Sequence, residues 1–471
     1  MTVPTPNNFD RLAKAIMLRH QVTYQRAREM LAEFTLHLKC GEDIRGSAAL
    51  QAALLTAINT GKRAFRGGVT LNIPTKVDLL LPWPGTETLN ETALELGAVE
   101  ATCSGHESSC SLVFGAATAS NECLRVICDG WRGGVVPSHV NPDFHAGADF
   151  ALGGVFAGGL AVCRAFMSVA QISNRDATEP IGLSLWRPDI CWLSDGGTGP
   201  ILRELPEKLW LLGLGHLGQA YTWTLGLLPF ADASKATIYL QDHDVLAEAN
   251  WSAGLLCEHD CIGRLKTRLC AAWLERRGFR TRLIERPFDE TIRRSTDEPR
   301  IALCGFDNAE SRRLLEDPGF ELVIECGLGG TLDRFDRIIL HTFPEASTTA
   351  RNSWPQIAND KQDVDLSLFD IPQVKCGMVL NAIAGKAISS SFTGACASAL
   401  VIAEVLKAIH GGDRREFLAY QIRDPERPGV VEKSENYQLR VARNGLVKAI
   451  ATEAAQVSLS LDTVLPAVQH S

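Results

Sequence analysis

Residues Leu209–Leu228 read LWLLGLGHLGQAYTWTLGLL. An uncharged apolar run leads into GLGHLG, and a stretch with helical spacing follows. Gly213, Gly215 and Gly218 form G-x-G-x-x-G. Glycines let the backbone approach an anion, and the helix behind them presents its positive end. Placed between a strand and a helix, the motif predicts a Rossmann-like nucleotide loop. It does not distinguish a nicotinamide dinucleotide from ATP. The next strand, ATIYLQDHDV, ends at Asp242 and Asp244, where an acid bonds a ribose in either class. The residues further on discriminate. Asn250 follows, then Lys266 in CIGRLKTRL at the front of an amphipathic helix. GFDNAESRR places Asp307 and Asn308 at a strand end with Arg312 one turn on. Phosphoryl chemistry needs a cation at the phosphates and a carboxylate for Mg²⁺. Lys266 and Asp307 supply both, and hydride transfer needs neither.

Working outward, the 471 residues allow two to four domains, with 45% hydrophobic and 22% charged residues as in ordinary globular chains. A net charge of −8 without a dense Lys/Arg run argues against a nucleic-acid surface. The 14 cysteines are scattered and form no C-x-x-C pair, which suits a reduced, cytoplasmic chain. Cys257, His259 and Cys261 in CEHDC lack a fourth metal ligand and read as an incidental loop. The start, MTVPTPNNFDRLAK, has no apolar core of a signal peptide. Leu209–Ala231 carries no formal charge and is long enough to span a bilayer. His216, Gln219, Thr222, Thr224 and Pro229 within it favour a buried strand, loop and helix, so no membrane span is expected.

The chain carries an internal repeat. SLVFGAATASNECLRVICDGWRGG (Ser111–Gly134) resembles RIALCGFDNAESRRLLEDPGFELVIECGLGG (Arg300–Gly330): strand, Gly, polar helix, strand, Gly-Gly. GGVFAGGLAVCRAF (Gly153–Phe166) resembles TGACASALVIAEVL (Thr393–Leu406), and both predict helices with a small-residue face suited to close packing. Between these matches the second half carries about 44 extra residues. Ala116, Ala117 and Thr118 stand in the first half where Phe306, Asp307 and Asn308 stand in the second, and GLGHLG has no clear N-terminal counterpart. The first half is expected to be degenerate and the second to work. The first 65 residues read as helical, SDGGTGPILRELPE as the junction, and the stretch beyond Gly412 as a tail in which RDPERPG is loop.

The order GxGxxG, DxD, Asn, GxxK and DN…R resembles the ThiF/MoeB family, the ubiquitin-activating enzymes and their bacterial relatives. The resemblance implies an α/β fold of two Rossmann-like adenylation domains, one inactive and one active, in a pseudo-dimer with an N-terminal helical region. Residues 1–200 would hold the helices and the inactive domain. Residues 201–412 would hold the active domain, with a catalytic-cysteine insertion at about 331–390, and 413–471 the tail. It implies ATP on Gly213, Gly215 and Gly218, its ribose on Asp244, Asn250 and Lys266 facing the phosphates, and Mg²⁺ on Asp307. The family's Asn-x-x-Arg-Gln is NWSAG here, so Ala253 and Gly254 replace Arg and Gln. Arg264, Arg268, or Arg11 or Arg19 from the N-terminal half are the candidates for the missing cation. The family's paired C-x-x-C zinc site is absent, which points away from sulfur-carrier enzymes.

An activating enzyme also uses a cysteine. The extra segment holds one before the repeat resumes, Cys376 in IPQVKCGMVLNAIAGKAI. A thiol at a helix start beside Lys375 has a lowered pKa. The alternative is a buried helix-start cysteine, while Cys326 and Cys396 read as packing. The expected activity is adenylation of a ubiquitin-like protein's C-terminal glycine, a thioester on Cys376 and transfer to a conjugating enzyme, in an antiphage conjugation system. Neither nucleic acid nor membrane is an expected partner, and the chain would be a monomeric pseudo-dimer or a homodimer. The alternatives are an adenylating enzyme without a thioester step, acting on a peptide or a tRNA, an NAD-dependent oxidoreductase, and a non-catalytic scaffold.

Overall fold

The structure is a computed structural model. It describes residues 5–101, 108–118, 123–140, 142–172, 179–345, 347–354, 385–431 and 444–452. Two helices, α1 (Ala13–His20) and α2 (Tyr24–Glu33), lead into a sheet of seven strands. These are β1 (Thr35–Cys40), β2 (Gly68–Asn72), β3 (Val99–Glu100), β4 (Cys110–Phe114), β5 (Leu124–Cys128), β6 (Arg132–Pro137) and β7 (Ile181–Ser184). Their order is β3-β2-β1-β4-β5-β6-β7, parallel as far as β5 and antiparallel beyond it. Helices α3 (Ala48–Ala64), α4 (Leu89–Glu95) and α5 (Ala151–Val169) belong to this half.

Strand β8 (Glu204–Pro206) stands between this sheet and a second sheet of eight strands in the chain. They are β9 (Lys208–Leu212), β10 (Thr237–Gln241), β11 (Arg280–Ile284), β12 (Ile301–Cys304), β13 (Leu322–Leu328), β14 (Arg337–Phe343), β15 (Phe417–Gln421) and β16 (Asp424–Val431). The order β11-β10-β9-β12-β13-β14-β15-β16 repeats the first sheet strand for strand and adds one. The change from parallel to antiparallel falls after β13, the counterpart of β5. Helices α6 (His216–Leu225), α7 (Lys266–Glu275), α8 (Ala309–Arg312), α9 (Ala350–Ser353) and α10 (Ser391–His410) complete this half. A last strand, β17 (Leu446–Lys448), pairs back on β8. The residues of β12 are buried throughout, as a parallel strand covered on both faces requires.

The matched helices, α5 and α10, meet at the centre of the molecule. A Cβ on Gly154 would lie 2.0 Å from Ala49 O, and one on Gly158 2.3 Å from Ala53 O, so these glycines admit α3. A Cβ on Gly159 would lie 2.9 Å from both Phe392 O and Cys396 Sγ of α10. Both helices are long and apolar enough to cross a membrane, and both are 89% buried inside the molecule.

Three expectations are corrected. The first 65 residues are not helical throughout, because Thr35–Cys40 forms an internal strand of the first sheet, between β2 and β4. The glycine loop does have an N-terminal counterpart, Gly41–Ser47 between β1 and α3. Residues beyond Gly412 extend the second sheet, and RDPERPG runs into strand β16 instead of forming a loop.

Candidate active site

The loop after β9 is shaped by its glycines. Gly213 has φ +80°, and its N–H donates to Gln241 O at 2.9 Å. A Cβ on Gly218 would lie 2.1 Å from Gly213 O, so the helix closes on the strand only through a glycine there. Gly215 stands at the N-cap position just before α6, and no side chain caps that helix. Its first N–H groups and the positive end of its dipole face a cavity of about 670 Å³.

The cavity brings together Gly213, Gly215, Asp244, Asn250, Lys266 and Asp307, residues that span almost 100 positions. Gly218 lies behind it and acts through packing. Asp242 Oδ2 accepts from Leu214 N at 2.7 Å and its Oδ1 from Asp244 N at 2.8 Å, so this carboxylate shapes the loop. Asp244 is the exposed acid, with its side chain 55% accessible. Lys266 heads α7. Its N–H donates to Asp244 O at 3.0 Å, and its Nζ lies 2.7 Å from Asp244 Oδ2 and 4.0 Å from Asp242 Oδ2. Lys266 thus pairs with the acid assigned to the ribose. Burial pushes the Asp244 carboxyl up, and the hydrogen bond and charge of Lys266 outweigh it and hold it below the usual range. Asn250 Oδ1 accepts from Ala247 N at 2.8 Å and so closes its own turn. Ala253 presents only a methyl group to the cavity.

Asp307 is exposed and also lines the cavity. Asn308 Oδ1 caps α8 through Ser311 N at 2.7 Å. Arg312 Nε donates to Phe306 O at 2.9 Å and lies 3.1 Å from the buried Glu325 Oε1. Of the four arginine candidates, only Arg11 lines the cavity. Burial lowers its pKa, and the nearby charge of Asp307 opposes this. Arg19 donates to Gln171 O, Arg268 pairs with Glu285 at 3.0 Å, and Arg264 is exposed outside the cavity lining.

His216 faces inward. Its Nδ1 is 3.0 Å from Ser389 Oγ, and a Cβ on Gly394 would lie 2.4 Å from its Nε2. Burial, followed by the charge of Arg11, lowers its pKa to about 4, so the ring is neutral and fills space. Among the described residues, the one cluster with three potential metal-ligand atoms together is Asp242, His243 and Asp244. CEHDC does not close on a metal there: His259 stacks on Trp251 at 4.9 Å, and Cys261 Sγ donates to Asp260 Oδ1 at 3.4 Å. Cys376 lies outside the described residues. Cys326 and Cys396 are buried, and burial pushes both thiols up.

Arg286, Phe288, Lys386, Ser389 and Ser390 also line the cavity, and no motif pointed to them. No spacing rule links residues that reach one pocket from different connections, and GKAISSSF matches no motif.

These features define a protein of two tandem Rossmann-like halves with an open, uncapped glycine-loop cavity in the second. Residues 35–185 match the family model for the BilD N-terminal domain, and residues 205–412 match that for the BilD C-terminal domain. The bacterial E1-like protein BilD of Collimonas sp. (strain OK412) is 34% identical over 409 residues, covering 84% of this chain and 87% of that protein. The chain belongs to the BilD family of bacterial E1-like proteins. Among solved structures it is similar to E. coli MccB with ATP, at 16% identity over 48% of this chain and 64% of that one with a TM-score of 0.33. It is also similar to PaaA, at 15% identity over 48% and 64% with a TM-score of 0.32. It spans just under two thirds of the length of those solved chains.

Proposed function

We propose that this chain uses ATP to activate the C-terminal carboxylate of a small ubiquitin-like protein. The observation that carries this reading is the meeting of Arg11 from the first half with Lys266 and Asp307 from the second, around the bare Gly215 and the uncapped start of α6. A position where a Cβ would meet nothing within 4 Å suits a close-lying phosphate. Asp244 would hold the ribose, Lys266 and Arg11 would neutralise the phosphates, and Asp307 would bind Mg²⁺, for which one carboxylate plus phosphate oxygens suffices.

A C-terminal carboxylate is already ionised at neutral pH, so no base is needed. Its oxygen attacks the α-phosphorus, the bond to the β-phosphate oxygen breaks, and pyrophosphate leaves with its charge stabilised by the lysine and arginine. The acyl-adenylate is then open to a thiolate, which takes the acyl group and releases AMP. Cys376 is the proposed thiol, and a conjugating enzyme would receive the thioester in a bacterial, antiphage conjugation system.

ATP–pyrophosphate exchange with the candidate ubiquitin-like protein tests the first step. Asp307→Ala should lower exchange by about 100-fold, the scale of losing a main electrostatic stabiliser. Cys376→Ala should keep exchange and lose the thiol-sensitive adduct. Full exchange in Asp307→Ala, or a normal adduct in Cys376→Ala, would refute the respective assignment.

A further inference from the structure

Arg11 lies on the segment that precedes α1, outside any helix or strand. Ala253 leaves the Asn250 loop without the arginine expected there, and Arg11 is the cavity-lining arginine contributed by the first half, so its aim depends on what holds that segment. It is held at several points. Asn7 O accepts from Ala249 N at 2.7 Å, which ties the segment to the loop bearing Asn250. Phe9 is fully buried and stacks on Tyr24 at 5.0 Å.

Asp10, the residue before Arg11, makes several contacts. Its N–H donates to Tyr24 Oη at 2.9 Å. Its Oδ1 accepts from Leu12 N at 3.0 Å and Ala13 N at 3.2 Å, at the start of α1. Its Oδ2 forms an ion pair with Arg66 Nη1. Arg66 follows α3. Its N–H donates to Leu31 O at 3.1 Å and its Nε to Arg63 O at 3.3 Å. Its guanidinium lies 5.3 Å from the ring centre of Trp251, the residue after Asn250. Burial alone would push the Asp10 carboxyl up, but Arg66 and the backbone donors hold it below the usual range, so it stays charged at neutral pH.

We infer that Asp10 and Arg66 are positioning residues, whose ion pair, seated on Trp251, aims Arg11 at the phosphate end of the cavity. Arg66 is absent from the cavity lining, so it acts through Arg11. The pair ties the first half's cation to the second half's Asn250 loop, where Ala253 has replaced the expected arginine. This inference rests on the ATP reading above.

The test is calorimetric binding of ATP and AMP to the full chain and to Arg66→Met, Arg66→Lys and Asp10→Asn, with thermal melting as the folding control. Arg66→Met should weaken ATP by about tenfold, the size of one misplaced charge-assisted bond, and AMP by less than about twofold. Arg66→Lys keeps the ion pair and should recover most of the loss. Asp10→Asn keeps an acceptor for α1 and should show the same selective loss, and it carries the test if Arg66→Met does not fold. Folded variants with unchanged ATP affinity, or with ATP and AMP weakened equally, overturn the inference and leave the nucleotide reading standing. A native chain that binds no ATP overturns both.

Discussion

Gly215 has φ −73°, and a Cβ built on it meets nothing within 4 Å, while a Cβ on Gly218 would lie 2.1 Å from Gly213 O. The two glycines of one motif therefore answer to different demands, one from a ligand and one from the fold. Gly218→Ala should cost about 1–3 kcal/mol of stability through overpacking against backbone. Gly215→Ala should leave the melting curve within about 0.5 kcal/mol of native. It should nevertheless weaken ATP binding clearly, and binding as tight as native would remove the argument that this position is kept bare for a phosphate. His216 offers a pH test at the same scale. Its folded pKa, about 4, lies below the ordinary 6.5, because burial and then Arg11 disfavour the charged ring. The unfolded chain thus takes up a proton that the folded chain refuses. Stability is fully present above pH 6.5 and falls as the pH drops towards 4. The loss is at most about 3 kcal/mol, and smaller to the extent that solvent reaches the part of the residue that is not buried. Denaturant unfolding of His216→Asn should show a shallower slope in that window, and an unchanged slope would assign the acid sensitivity elsewhere.

At the scale of elements, the two loops that follow the equivalent strands β1 and β9 differ in what meets the helix behind them. In the second half α6 starts without a cap. In the first half Asp149 closes the start of α3, accepting from Ala48 N at 2.7 Å, Ala49 N at 2.9 Å and Ser47 Oγ at 3.1 Å. Asp43 occupies the turn itself, accepting from Ala116 N at 3.0 Å and lying where a Cβ on Gly41 or Gly115 would have to go. Two internal carboxylates thus occupy the loop of the first half, and they are expected to repel phosphates there. Calorimetry should find one ATP per chain. Asp149→Ala should cost about 1–2 kcal/mol, the value of a helix cap, without changing ATP affinity. A second site of similar affinity in the native chain would contradict this account. The contrast also explains what the sequence disclosed. Strands β9 and β10 with the glycine loop were legible because a buried parallel strand is a continuous apolar run and GxGxxG punctuates it. Strand β1 was hidden because Thr35 follows the end of α2 with only Phe34 between them, and because its loop has lost the motif. Strand β16 was hidden because Pro425 and Pro428 signal a turn, yet a strand at the end of a sheet tolerates them. Arg11 could be offered only as a guess, since nothing in local sequence says that residue 11 reaches a pocket built around residue 215.

At the scale of the whole molecule, the first half acts on the site through α3. Arg63 is fully buried, and its Nε donates to Gly254 O at 3.0 Å. Its Nη2 donates to Leu255 O at 3.3 Å, Cys257 O at 3.0 Å and Glu258 Oε1 at 3.1 Å. Asn59 Nδ2 adds a bond to Leu255 O at 3.0 Å, and Lys62 Nζ one to Glu258 Oε1 at 2.7 Å. One face of a first-half helix therefore holds residues 254–258, directly behind the Asn250–Ala253 wall of the cavity. The contact between α5 and α10 at Gly159 and Trp223 Nε1 donating to Thr56 Oγ1 at 3.2 Å bind the halves elsewhere. Through these contacts the first half backs the cavity wall of the second. The native chain should unfold in one cooperative transition. Arg63→Met should lower its stability by about 3 kcal/mol, because the carbonyls of Gly254, Leu255 and Cys257 lose their donor and Glu258 loses one partner. The surviving folded protein should bind ATP more weakly, since the cavity wall loses its backing. Two separate melting transitions in the native chain, or an Arg63→Met protein with native stability and native ATP affinity, would mean that each half stands alone and that the contact through α3 is incidental to the site.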